Sequence, residues 1–146
     1  MREVMGDLWE YWERGDWIVI TTNGSIRHDG ACVMGRGVAL QAAQRFPNLP
    51  YRLGDRITSH GNVVHVFTDL RLFAYPVKNA WMQRADLELI REGALRLSNL
   101  ALAMNLGTIF MVRPGCGNGG LSWDVVKPII EPFLDERFCV VERGAQ

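Results

Sequence analysis

Eight of the fifteen glycines in this 146-residue chain fall in two short windows, residues 24–37 and residues 115–120. A glycine-rich loop between a strand and a helix leaves backbone N–H groups uncovered. It aims them, with the positive end of the helix dipole, at whatever lies in the loop. Phosphate or another anion suits such a cradle. Two cradles side by side could grip two phosphates, so the pattern points to a nucleotide that carries a diphosphate. Reactive side chains near the loops are few. Asn23 stands directly before the first window, which holds His28 and Asp29. Fourteen of the sixteen basic residues are arginine, leaving Lys78 and Lys127 as the only lysines. His28 and Cys32 stand four apart, but no second pair of ligands lies nearby, so a structural zinc site is not expected.

Three narrower readings compete. A P-loop needs GxxxxGK[ST], and neither lysine follows a glycine loop. GCGNGG at residues 115–120 satisfies GxGxxG and leads to a run ending in Glu142, as in a dinucleotide site. That fold puts the motif first and builds further strands after it, whereas only four residues follow Glu142 here. Plain turns without a ligand explain one cluster well, and two at equivalent positions less well.

The elements that must hold these loops can be read from capping and periodicity. Asp7, with Glu10 three residues on, makes a capping-box arrangement before a short helix. Residues 17–21, WIVIT, form a β-branched apolar run suited to a strand buried on both faces. Residues 37–46 are predicted to be a helix ended by Pro47, and residues 62–68 and 71–77 two strands joined by a tight turn at Asp69 and Leu70. Residues 86–105 place Leu87, Ile90, Ala94, Leu97, Ala101 and Met104 at helical spacing, which is a core stripe. Residues 108–112 are a further strand. Ser122 then caps a helix running to about residue 134, which Pro128 should kink or shift, before a closing strand at 138–142. Strands alternating with helices imply one domain over residues 1–146, a three-layer α/β/α sandwich around a mixed, mostly parallel sheet. Both glycine windows then lie at the carboxyl ends of strands, where such sheets bind ligands. Trp9, Trp12 and Trp17 are expected in the core rather than stacked on bases.

Composition closes off other classes. Sixteen basic residues balance sixteen acidic ones, so binding of nucleic acid mainly by phosphate neutralisation is not expected. The bases do concentrate locally. Five arginines and two acids lie within residues 27–56, which suggests a basic field near a phosphate site. No apolar run approaches the roughly 20 residues of a membrane span. Three cysteines without CxxC spacing, and no signal-like start, suit a cytoplasmic protein.

In order along the chain, GDLW (residues 6–9), IVITTNG (18–24), VMGRGVALQ (33–41), FAYPVKNAW (73–81) and PGCGNGGLSWDVVKP (114–128) together resemble a macrodomain, the ADP-ribose-binding α/β/α module. The resemblance covers nearly the whole chain. It is strongest to the class holding the terminal ADP-ribose protein glycohydrolase and DNA-directed antitoxin hydrolases, with small phage-encoded macrodomains similar too. It implies that Asp7 receives the adenine amino group beside Leu8, and that Asn23 faces the distal ribose. Gly35, Arg36, Gly37, Val38 and Ala39 would form one diphosphate loop. Gly115, Cys116, Gly117, Asn118, Gly119, Gly120 and Leu121 would wrap the other side. It also implies a lysine in the helix after the first loop, where this chain has Ala43, and an acid in the second loop, where it has Gly119. Lys78 and Asn23 are therefore the catalytic candidates, with His28 and Asp29 behind them. The function expected is hydrolysis of an ADP-ribosyl linkage on a nucleotide, DNA base or protein side chain, without cofactor or metal, by a monomer. The alternative is a module that captures ADP-ribose without turnover.

Overall fold

Short apolar runs become neighbouring strands, and the amphipathic segments between them cover both faces of the resulting sheet. A computed structural model describes residues 1–142. In chain order the elements are β1 (Arg2–Met5), α1 (Leu8–Glu13), β2 (Trp17–Asn23), α2 (Gly37–Arg45), α3 (Leu49–His60), β3 (His65–Phe67), β4 (Leu72–Lys78), α4 (Leu87–Ala103), β5 (Ile109–Met111), α5 (Trp123–Ile130) and β6 (Phe138–Glu142). The strands form one sheet in the order β1-β6-β5-β2-β4-β3. Every pairing is parallel except β3 with β4, so the sheet is mixed and mostly parallel, as expected.

Successive side chains on a strand point to opposite faces, and the buried strands divide accordingly. Val19, Phe73 and Tyr75 join a core beneath α4 and α5. Ile18, Ile20, Leu72 and Ala74 join a second core beneath α1, α2 and α3. Helix α2 follows β2 on one face, whereas α5 follows β5 on the other, and β2 and β5 are neighbours. Adjacent strands whose following helices leave to opposite faces open a crevice between them at their carboxyl ends.

Two elements depart from the sequence reading. Strand β1 was not expected, because its REVM sequence has no alternating pattern and three of its four residues are exposed. It forms because its backbone pairs along β6, Arg2 to Met5 against Cys139 to Glu142. Helix α3 fills the stretch between Pro47 and residue 62, for which no element was expected. Pro50 stands in its first turn, where a missing N–H costs no helical bond, and Leu49 and Leu53 bury one face. Two further differences concern bounds. Between β3 and β4 lies a 3-10 turn over Thr68–Leu70, with Arg71 at φ 50°. Helix α5 starts at Trp123 despite Pro128 and stops after Ile130, short of residue 134. The tryptophans are packed as expected: Trp9 and Trp12 cluster with Phe46, and Trp17 tilts against Phe73. Among the described residues no helix is long and apolar enough to cross a membrane.

Candidate functional site

A cavity of about 510 Å³ lies across the carboxyl ends of β2, β4, β5 and β6. Thr21, Thr22 and Asn23 of β2 and Val77 and Lys78 of β4 form part of its lining, and both glycine windows wall it. Of the residues singled out from the sequence, Asp7, Leu8, Asn23, Gly35, Arg36, Gly37, Val38, Ala39, Lys78, Gly115, Gly117, Asn118 and Gly119 line it. Cys116 and Leu121 do not; they pack against the core beneath α4 and α5. Gly120 lines an adjoining groove instead.

The first wall is an open helix start. Asp7, Asp86 and Ser122 cap α1, α4 and α5 with their side chains, but Arg36 gives α2 no such cap. The N–H groups of its first turn, Gly37, Val38 and Ala39, have no partner inside the helix. All three residues line the cavity. Asn23 holds the approach to this turn: its Nδ2 donates to the Val33 carbonyl at 3.0 Å, and its Oδ1 accepts from Ser25 N–H at 2.9 Å. One amide hydrogen of Asn23 stays uncommitted among the described residues.

The second wall is a tight backbone coil. Cys116, Gly120 and Leu121 direct their N–H groups into the loop, onto the carbonyls of Arg113, Gly117 and Gly115. Those of Gly117, Asn118 and Gly119 take part in none of the described hydrogen bonds. A Cβ at Gly119 would lie 2.5 Å from the Gly115 carbonyl oxygen, so this backbone holds no side chain there and the acid expected at that position has no room. The walls meet where Gly37, at φ 56°, comes beneath Asn118: a Cβ on it would stand 3.2 Å from the Asn118 amide nitrogen.

Lys78 enters through an irregularity in the sheet. The register between β2 and β4 shifts after Thr22, pairing Asn23 with Lys78 and leaving Val77 over. A bulge of this kind re-aims side chains, and Val77 and Lys78 both line the cavity. The Lys78 carbonyl accepts from Gly24 N–H and from Asn62 Nδ2, and its Nζ donates to the Trp81 carbonyl at 3.3 Å. Ala43, where the resemblance implied a lysine, packs against the core beneath α1–α3 and does not line the cavity. The lysine at this site is therefore carried by β4, not by α2.

The other candidates fall away. His28 is exposed and outside the cavity. Asp29 closes its own turn, accepting from Ala31 N–H and Tyr51 Oη, and these bonds hold its carboxyl below the usual range. The basic field also resolves into structural pairs. Arg45 meets Glu13 and lies over the Trp9 ring, Arg52 meets Asp69, and Arg56 donates to the Val66 carbonyl. Of the five arginines in residues 27–56, only Arg36 lines the cavity.

Sequence reading missed Arg113 and Trp81, which also line it. Arg113 reaches Glu142 at 3.3 Å and Glu3 at 3.7 Å, and its Nε is buried without a partner among the described residues. Its place directly after the β5 run, ahead of PGCGNGG, was the available signal for Arg113.

No family model matches the chain. A Thermus aquaticus protein named DNA ADP-ribosyl glycohydrolase is 31% identical over 113 residues, covering 70% of this chain. The chain spans about a third of the length of that relative, 31%. Among solved structures, the macrodomain of Thermus aquaticus DarG superposes with a TM-score of 0.71 at 28% identity, covering 99% of this chain and 97% of that one. This chain is a macrodomain. Thermosipho africanus DarTG, solved in complex with ADP-ribose, shares the macrodomain fold at 18% identity and a TM-score of 0.71, over 95% of this chain and 40% of its own. The macrodomain's cavity lies where its two glycine loops converge, which unites the anion argument made from sequence with the family resemblance.

Proposed function

We propose that this macrodomain binds ADP-ribose and hydrolyses an ADP-ribosyl linkage on DNA, with Lys78 as the catalytic residue. The observation that carries the reading is a cavity walled by two sets of unpartnered N–H groups, with one lysine on its floor. The diphosphate takes the N–H groups of the α2 start and of Gly117–Gly119, and adenine lies towards Asp7 and Leu8. Asp7 Oδ1 already accepts from Trp9 N–H as a helix cap, which leaves Oδ2 for the adenine amino group. The distal ribose lies between Asn23 and the second loop, with its anomeric carbon towards Lys78. Neutral N–H groups do most of the holding, which fits a chain of zero net charge.

Hydrolysis breaks the bond from the anomeric carbon to the base and forms one to a water oxygen. The Lys78 ammonium gives a proton to the departing base, and the attacking water returns one. General acid catalysis of this kind contributes about 10²–10⁴-fold. Asn23 acts as a positioning residue, through the loop it clasps and its free amide hydrogen. The relatives' names support DNA as the acceptor. The three free thiols support a reducing, cytoplasmic setting.

Binding without turnover is the second reading, and one observation favours it. Among the described residues, Asp7 is the only carboxylate lining the cavity. It follows β1, four strands from β4 in the sheet, so no cavity-lining acid is placed beside Lys78. Calorimetry with ADP-ribose and product analysis with an ADP-ribosylated oligonucleotide distinguish the two. Lys78→Ala should keep ADP-ribose affinity within about threefold and lose turnover by at least ~10²-fold. Unchanged turnover removes Lys78 from catalysis. Absence of turnover in the wild type, with ADP-ribose bound, leaves the reader.

A further inference from the structure

Beyond Lys78 the cavity runs into a shallower groove of about 460 Å³. Arg36, Lys78, Trp81 and Asn118 line both, so the groove begins where the proposed reacting carbon would sit. Three features set it apart from the rest of the surface. Its charged lining residues are Arg36, Lys78 and Arg84, with no acid among them, although the chain as a whole carries no net charge. Trp81 is 49% exposed, whereas tryptophan is highly buried on average. Its ring has no aromatic or cationic partner among the described residues.

The exposed ring stands on a fixed backbone. Trp81 N–H donates to Ser25 Oγ at 2.9 Å, and its carbonyl accepts from Lys78 Nζ at 3.3 Å. These bonds tie the residue to the first glycine loop on one side and to the reacting amine on the other. Arg84 is fixed too, donating from Nη2 to the Gly120 carbonyl at 3.0 Å, and it stays exposed. A preset aromatic face flanked by cations, with no acid in the groove's lining, matches a nucleobase joined to phosphate. It recognises an unpaired base, since only an unstacked one offers its face to a ring.

We infer that this groove is the acceptor-strand shelf: Trp81 stacks on the nucleobase that carries the ADP-ribosyl group, and Arg84 holds the adjoining phosphate of a single strand. The inference rests on the function proposed above and adds the residues that select a base-linked, single-stranded acceptor. The footprint is short. One or two phosphates meet arginine, so most affinity comes from the ADP-ribosyl part and the shelf supplies selection.

The test measures dissociation constants in the Lys78→Ala chain, where turnover does not consume the ligand. Four probes are compared: free ADP-ribose, an ADP-ribosylated nucleoside, a single-stranded oligonucleotide ADP-ribosylated on the same base, and an ADP-ribosylated peptide. Trp81→Ala should weaken the nucleoside and the oligonucleotide by about tenfold or more, leave free ADP-ribose and the peptide within twofold, and be largely rescued by Trp81→Phe. Arg84→Ala should weaken only the oligonucleotide and make its logarithmic salt dependence shallower by about 0.7, the value for one single-strand phosphate. Equal losses for free ADP-ribose and oligonucleotide in Trp81→Ala overturn the shelf, as does a loss confined to the peptide, which would mark a protein acceptor. Failure of the wild type to bind ADP-ribose at millimolar concentration instead refutes the function on which the shelf rests. Wild-type calorimetry with free ADP-ribose separates these failures.

Discussion

Gly119→Ala offers a sharp test of whether backbone N–H groups hold the diphosphate. The added methyl would stand 2.5 Å from the Gly115 oxygen and 2.8 Å from its carbonyl carbon, all of it backbone that cannot swing aside. Ordinary contact begins near 3.4 Å, so the coil must open by about 0.9 Å. A donor at the usual ~2.9 Å from a phosphate oxygen would then stand near ~3.8 Å, outside hydrogen-bonding range. Displacing Asn118 and Gly119 removes two donors to a charged group, each worth roughly 1.5 kcal/mol at the low end. The sum, about 3 kcal/mol, corresponds to a Kd some 150-fold weaker. Gly117→Ala is the matched control, because a Cβ there meets nothing within 4 Å. It should bind within about threefold of wild type. Calorimetry with ADP-ribose measures both, and thermal unfolding shows how much of the Gly119→Ala effect is lost stability. A folded Gly119→Ala protein that binds within threefold of wild type refutes the backbone cradle. So does an equal loss in Gly117→Ala.

Other outcomes follow from single residues. Asp7→Ala should lower stability by about 1 kcal/mol through loss of the α1 cap, whereas Asp7→Asn keeps the cap and the melting temperature. Both should weaken ADP-ribose binding about tenfold, and a wild-type Kd for Asp7→Asn would leave Asp7 as a cap alone. Burial pushes the Cys32 thiol up to about 12 from an ordinary 9.0. The unfolded chain therefore releases this proton from pH 9 upward while the folded chain keeps it. Stability should fall above pH 9 by up to about 1.4 kcal/mol per unit, and Cys32→Ala should flatten that limb of a Tm-against-pH curve; an unchanged limb assigns it to another group.

The legible and illegible parts of the sequence divide by physical cause. WIVIT and FCVVE were readable because strands buried on both faces must be apolar throughout. The 86–105 stripe was readable because a single buried helix face forces its period. REVM was not, since an edge strand can be held by backbone pairing while its side chains face water. Helix α3 hid behind Pro47 and Pro50, although Leu49, Leu53 and Ile57 recur every four residues and were the missed signal. The glycine windows announced the walls of the cavity. Its floor was harder, because the aim of Lys78 depends on a register shift between two strands that no local pattern encodes. Trp81 lay in a quoted motif, yet its exposure arises from a turn tied to Ser25, 56 residues away.

The uncapped start of α2 has a consequence for how the protein breathes. Helices α1, α4 and α5 carry their caps in their own sequence, so their first turns stay closed whatever the cavity holds, and α3, uncapped like α2, does not line the cavity. Helix α2 has only nine residues and leaves its first donors to solvent, and a helix that short is marginal without tertiary support. Its first turn is thus a helix start at the cavity whose amide hydrogens exchange with no side-chain cap to slow them. An anion in the cavity completes that turn from outside, so the ligand serves as the missing cap, and slowed exchange at Val38 and Ala39 becomes a direct record of occupancy.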